Sequence, residues 1–158
     1  MKIGPATASQ VENIKQHARQ AMEEGTLYHA RRLPEERVHD MMEKVLERGG
    51  EHWAAVEGEE LMGWVLIGPH RDFFSDEVIG FIYELHVFPD HRGKGLGERL
   101  MKMALQQLQA KGYREIRLNV FAGNPAIDLY RKLGFTERQV MMSRQLVSDP
   151  HTDHRNQT

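Results

Sequence analysis

Cysteine is absent from the 158 residues. That excludes disulfides, thiolate zinc sites, iron–sulfur clusters and a cysteine nucleophile. Long hydrophobic runs are also missing: no stretch approaches the roughly 20 apolar residues of a membrane span. Met1 to Thr7 has no apolar segment of signal-peptide length. The expected compartment is the cytoplasm, with no membrane partner. An excess of one charge is lacking too. Lys and Arg number 21 and Asp and Glu 23, a net charge of −2, which argues against a nucleic-acid partner held mainly by electrostatics. What remains is 40% hydrophobic and 28% charged, the composition of a soluble globular chain. A chain of this length makes about one domain and buries roughly 70% of its unfolded surface.

Patterning divides the chain into alternating elements. Met1–Gly4 reads as a strand ended by Pro5. Thr7 with Gln10 three residues on is a capping box opening a helix to Glu24, with Val11, Ile14, Ala18, Ala21 and Met22 as its apolar stripe. Pro34 suits the first turn of a second helix carrying Val38, Met41, Met42, Val45 and Leu46 inward. Strands follow at His52–Glu57, Leu61–Ile67 and Val78–Phe88, with a loop expected over Gly68–Glu77. A helix then runs to about Lys111. Ile116, Leu118 and Val120 alternate with charged and polar residues in a strand over Arg114–Val120. Asn124-Pro125 opens a last helix stopped by Gly134, and Phe135–Leu146 reads as a final strand. The fold class is mixed α/β: one mixed sheet with an antiparallel meander and a parallel β-α-β crossover. Residues 1–146 form one domain, and the polar residues 147–158 are expected to be a disordered tail.

The most informative segment is Leu85-His86-Val87-Phe88-Pro89-Asp90-His91-Arg92-Gly93-Lys94-Gly95-Leu96-Gly97. It joins a strand end to a helix start through a glycine-rich turn. Such a turn lets backbone N–H groups converge on a ligand, and Arg92 and Lys94 add positive charge. A phosphate or pyrophosphate cradle is the expectation. Two familiar phosphate loops do not fit. A Walker loop needs Ser or Thr where Gly95 follows Lys94, and a Rossmann fingerprint needs glycine where Glu98 stands.

Arg92, Gly95 and Gly97 fill the pattern Arg/Gln-x-x-Gly-x-Gly/Ala. The segment thereby resembles the acetyl-CoA-binding motif of the GNAT superfamily of N-acetyltransferases. Asn119 to Asn124, followed by Tyr130-Arg131-Lys132-Leu133-Gly134-Phe135, resembles the family's second signature. The resemblance covers about residues 1–146. It implies an enzyme that moves an acetyl group from acetyl-CoA, a co-substrate, to an amine by direct attack. A cysteine-free chain agrees with that route. The resemblance also implies a splayed central strand. Backbone groups of Leu85, His86 and Val87 would bind pantetheine, Arg92, Gly93, Lys94, Gly95, Leu96 and Gly97 would cradle the pyrophosphate, and Asn124 would contact the cofactor while capping its helix.

Tyr130 matches the family's general acid, since a phenol with an ordinary pKa of about 10 is protonated at neutral pH. Its plain alternative is a core tyrosine beside Ala126, Leu129 and Leu133. Candidates for the base are Tyr83, Glu84 and His86, with Glu84 first. Alternation sets Tyr83 and Leu85 on one face and Glu84 and His86 on the other, unless a bulge intervenes. The acceptor pocket is expected at the loops Gly25–Leu33 and Gly68–Glu77. There Tyr28, Tyr83 and Phe73 or Phe74 would offer aromatic walls, and Asp72, Asp76 and Glu84 would attract an ammonium group. Arg31 and Arg32 would instead hold a carboxylate. His52, His70, His91, His151 and His154 have no metal-ligand spacing, so no metal is expected. The acceptor is expected to be a small-molecule amine. Its rivals are a protein Nα- or lysine-acetyltransferase and an acyl-CoA-binding module without turnover. A homodimer is one arrangement the sequence leaves open.

Overall fold

The computed structural model describes residues 1–29 and 33–146. Arg31, Arg32, His151, His154 and the expected polar tail lie outside the described residues. Five strands form one sheet in the order β1-β2-β3-β4-β5. They are β1 (Lys2–Pro5), β2 (Glu51–Glu57), β3 (Glu60–Arg71), β4 (Val78–Val87) and β5 (Ile116–Leu118). The first four are antiparallel neighbours, and β5 joins β4 in parallel. The helices are α1 (Ala8–Gly25), α2 (Glu35–Glu47), α3 (Leu96–Ala110) and α4 (Ala126–Lys132).

Local chemistry sets the helix starts. The Thr7 hydroxyl accepts from the Gln10 N–H and the Gln10 amide oxygen accepts from the Thr7 N–H, closing the capping box. One stripe of α1 (Ile14, Ala18, Ala21) and Val38 and Met42 of α2 bury Ala54, Trp64 and Leu66 on one sheet face. Leu96, Leu100, Met101, Ala104 and Leu108 of α3 bury the opposite face, around Val65, Ile67 and Ile82. Leu129, Tyr130 and Leu133 of α4 join this second cluster. The sheet is thus covered on both faces, as a strand carrying a parallel crossover requires.

Three expectations need correction. The loop foreseen over Gly68–Glu77 starts later, because β3 runs on through Pro69 to Arg71. Pro69 lies opposite Gly80, whose N–H bonds Glu115 on the β5 side. The backbone nitrogen of Pro69 therefore faces away from β4, beyond the end of β2, where no ladder needs a donor. The strand expected over Arg114–Val120 is shortened to Ile116–Leu118. The final strand, Phe135–Leu146, has no ladder among the described residues. Val140, Met141, Met142 and Leu146 stand at least 70% exposed, and a single segment without a partner strand has nothing to stabilise it as sheet. It is tethered by Arg131–Glu137 at 3.0 Å and by Arg138, whose guanidinium reaches Glu115 at 3.6 Å.

Candidate functional site

The sheet opens where β4 outlasts β5. Parallel pairing covers only Gly80–Ile82 against Ile116–Leu118, and β4 continues from Tyr83 to Val87 with that edge unpaired among the described residues. The backbone of Leu85, His86 and Val87 therefore lies along a free strand edge. Gly63 of β3 sits opposite Val87, and a Cβ on it would stand 2.6 Å from the His86 carbonyl oxygen. A glycine inside a strand is the sequence signal for such close approach, and it went unused.

At the end of β4, Pro89–His91 makes a short 3-10 turn and the glycine turn leads into α3. Gly95 precedes α3 in the left-handed region at φ +78°, with nothing within 4 Å of a built Cβ. It offers no side chain to cap the helix, so the first-turn amides face outward for another acceptor. The Arg92 Nε donates to the Val87 carbonyl at 2.8 Å, and its guanidinium pairs with Glu24 at the end of α1. Lys94 is exposed and has no ion-pair partner among the described residues. Open space over Gly93 and Gly95, flanked by two cations, fits a pyrophosphate.

A roof crosses the opening. The Asn124 amide nitrogen donates to the Gly25 carbonyl, and its side-chain oxygen accepts from the Ala126 N–H, capping α4. His29 stacks on Phe121 at 5.8 Å. Leu27 and Tyr28 turn the chain at φ +53° and +59°, a conformation that costs L-residues energy. Tyr28 lies on this stretch, between the Gly25 and His29 contacts, and is exposed.

The bulge left open by the sequence is present. Leu66 pairs with Glu84 and Ile67 with Ile82, so Tyr83 is the extra residue. Tyr83 and Phe88 pack with the α1–α2 cluster, while Ile82, Leu85 and Val87 pack with the α3 cluster. Glu84 reaches the α1–α2 face, where its Oε1 accepts from the Trp64 indole at 3.0 Å. Part of Glu84 keeps solvent contact, but its carboxyl is enclosed, and burial pushes it up to about 7. The His86 ring lies on Trp64 at 4.7 Å, and burial pulls it down to about 4. On the other face Tyr130 is half-buried and edge-on to Phe135 at 6.1 Å. Burial raises its pKa, and its hydroxyl has no hydrogen bond among the described residues.

Not every candidate is gathered here. The Tyr83 hydroxyl donates to the Pro69 carbonyl on β3. Phe73 and Phe74 stand 91% and 82% exposed at the tip of the β3–β4 hairpin. That tip is about 30 Å of strand from Val87. Asp72 is buried and paired with Arg117, accepts from the Ser75 N–H, and is held well below the carboxylate range by those bonds. It is not free to receive an ammonium group. Two contributors were missed. Glu24 was hidden in a polar helix face, and Trp64 reads in sequence as one more apolar strand residue.

The fold and the opening define a mixed α/β domain in which a strand edge leads into a glycine turn and the start of a helix. Residues 12–135 match the acetyltransferase (GNAT) family model, and the chain belongs to that family. It is 37% identical over 81 residues to a mycothiol acetyltransferase of Corynebacterium glutamicum, covering 51% of this chain and 26% of that one. It is 36% identical over 95 residues to a mycothiol acetyltransferase of Catenulispora acidiphila, covering 58% and 30%. The chain thus spans only 26 to 30% of the length of these relatives. A solved structure described as an acetyl transferase of Pyrococcus furiosus superposes with a TM-score of 0.77 at 27% identity, covering 92% and 99%. An aminoglycoside 6'-N-acetyltransferase of Acinetobacter haemolyticus gives 0.68 at 17% identity, covering 94% and 100%, a likeness of fold alone.

Proposed function

We propose that this chain is an acetyl-CoA-dependent N-acetyltransferase acting on the primary amine of a small molecule by direct attack. The observation that carries the reading is the unpaired edge of β4. It leads into the glycine turn and has an enclosed carboxyl, Glu84, on one side and the phenol of Tyr130 on the other. Acetyl-CoA would supply the activated acyl group, held by the Leu85–Val87 backbone, by Arg92 and Lys94, and by the turn through Gly97. Glu84 takes the proton the ammonium must lose. A carboxyl titrating near 7 is matched to that task at neutral pH, whereas His86 at about 4 is too weak a base. The new C–N bond replaces the C–S bond, and Tyr130 gives its proton to the departing sulfur. The mycothiol acetyltransferase relatives support a small-molecule acceptor.

A second reading has one observation behind it. A cleft of about 410 Å³ lies between α1, the β2–β3 turn and Pro89–His91, rimmed by Glu59, Glu60 and Asp90. Its three carboxylates, one of them already bonded to His91, would favour a basic peptide, as a protein acetyltransferase needs. The proposed setting is the cytoplasm, without nucleic acid or membrane. Among the described residues no helix is long and apolar enough to cross a membrane. Titration calorimetry with acetyl-CoA, followed by product mass analysis across small amines and lysine peptides, separates the readings. An acetylated small amine supports the first and an acetylated peptide the second. Binding without any product leaves an acyl-CoA-binding module. Light scattering of the same sample decides whether a homodimer belongs to the picture.

A further inference from the structure

Trp64 sits in the middle of β3 and is 0% exposed. A buried indole needs an acceptor for its N–H, and here the acceptor is the Oε1 of Glu84 at 3.0 Å. Its ring is wedged against His86 at 4.7 Å and Phe88 at 5.7 Å, so it cannot turn away without moving both. In the β3–β4 register Trp64 faces His86 and Leu66 faces Glu84. The indole therefore reaches Glu84 diagonally along the same face. It can do so because the register is unbroken from Trp64–His86 to Leu66–Glu84, which keeps Glu84 on that face, and the bulge falls only beyond it, at Tyr83. Glu84 Oε2 has no hydrogen bond among the described residues.

We infer that Trp64 is a positioning residue for Glu84. Its N–H holds one carboxylate oxygen so that the other is presented to the acceptor amine. The inference rests on the reading of Glu84 as the base. A carboxylate free to rotate in an enclosed site samples many orientations, and one held by a rigid donor keeps its second lone-pair set aimed. The same N–H favours the ionised carboxyl and opposes the burial that favours the neutral one. The other titratable groups toward this face are His86 and Tyr83 on β4, His17 and Glu24 on α1, His52 on β2 and the Lys15–Glu43 pair joining α1 to α2. Burial holds His86 and His52 at about 4, so both have lost their protons before Glu84 titrates.

The test compares Trp64→Phe, Trp64 replaced by benzothienylalanine, and Glu84→Gln. Benzothienylalanine keeps the ring shape and puts sulfur where the N–H was. The readout is kcat/KM for amine-dependent thiol release across pH. In both Trp64 variants the acidic limb should rise by about one pH unit. The rate should then fall by more than about tenfold well below pH 7 and keep a several-fold deficit at about pH 9, where Glu84 is ionised but no longer held, with KM for acetyl-CoA unchanged. A wild-type limb in the benzothienylalanine protein overturns the inference, whether or not Trp64→Phe folds. Glu84→Gln separates the failures. If it loses the acidic limb while the Trp64 variants keep theirs, only the positioning role falls. If it keeps both rate and limb, Glu84 is not the base and both readings fall.

Discussion

Gly95 and Gly97 lie two residues apart, yet replacing them should have opposite consequences. At Gly97, in the first turn of α3, a Cβ would stand 3.7 Å from Leu129 and 3.9 Å from Val87, ordinary contact distances. Gly97→Ala should therefore fold well, and removing a helical glycine should stabilise the protein by about 0.5–1 kcal/mol. At Gly95 the backbone is left-handed at φ +78°, so any L-side chain costs about 1–2 kcal/mol. A Cβ there meets nothing within 4 Å, so a larger side chain has room to grow into the space assigned to the pyrophosphate. Gly95→Leu should fold with reduced stability and bind acetyl-CoA at least tenfold more weakly, about 1.4 kcal/mol. A bulky residue at Gly97, confined between Val87 and Leu129, should weaken binding as well. Thermal unfolding and calorimetric titration of each variant check both halves. A folded Gly95→Leu protein with wild-type affinity would refute the cradle.

Three further outcomes are expected. Tyr130→Phe keeps the ring packing against Phe135 and should lower kcat by about 10²-fold with near-normal acetyl-CoA binding; a wild-type kcat in a chemistry-limited assay would leave Tyr130 a core residue only. His52 is 3% exposed with neither ring nitrogen bonded among the described residues, and burial lowers its pKa from 6.5 to about 4. The unfolded chain thus takes up that proton first, so the stability tied to the neutral ring is complete above pH 6.5 and is lost as pH falls toward 4. His52→Leu should raise stability by about 1 kcal/mol at pH 7 and flatten this dependence in denaturant titrations, and an unchanged slope would contradict the assignment. Tyr28→Ala, at the roof, should raise KM for the amine while leaving that for acetyl-CoA unchanged. Phe74→Ala, at the distant hairpin tip, should change neither; equal effects at both positions would contradict the placement of the acceptor end.

Features encoded by neighbours in the chain were readable in sequence. The Thr7–Gln10 capping box, the strand–glycine turn–helix around Arg92 and Gly95, and the Asn124 cap each depend on residues a few positions apart. Features encoded by pairing were not. The bulge at Tyr83 exists only in the register of β3 against β4, and the bond from Trp64 to Glu84 forms only once those strands are paired. Glu24 meets Arg92 only after α1 is laid across the sheet. The loop expected from Gly68 onward begins later because the turn preference of Pro69 is visible in sequence and the end of β2 beside it is not. Phe135–Leu146 shows the converse: it reads as a last strand, but among the described residues it has no ladder to join.

Amine-dependent thiol release from acetyl-CoA is the most direct test of the account. With purified protein and acetyl-CoA alone, release should stay near the uncatalysed rate, because no residue is proposed to take the acyl group covalently. Adding a primary-amine acceptor should start steady release, with acetylated amine formed in equal amount. Stoichiometric thiol release with acetyl retained on the protein before any amine is added would contradict direct transfer. Tight acetyl-CoA binding with no release across the amine and peptide panel would contradict the enzyme itself.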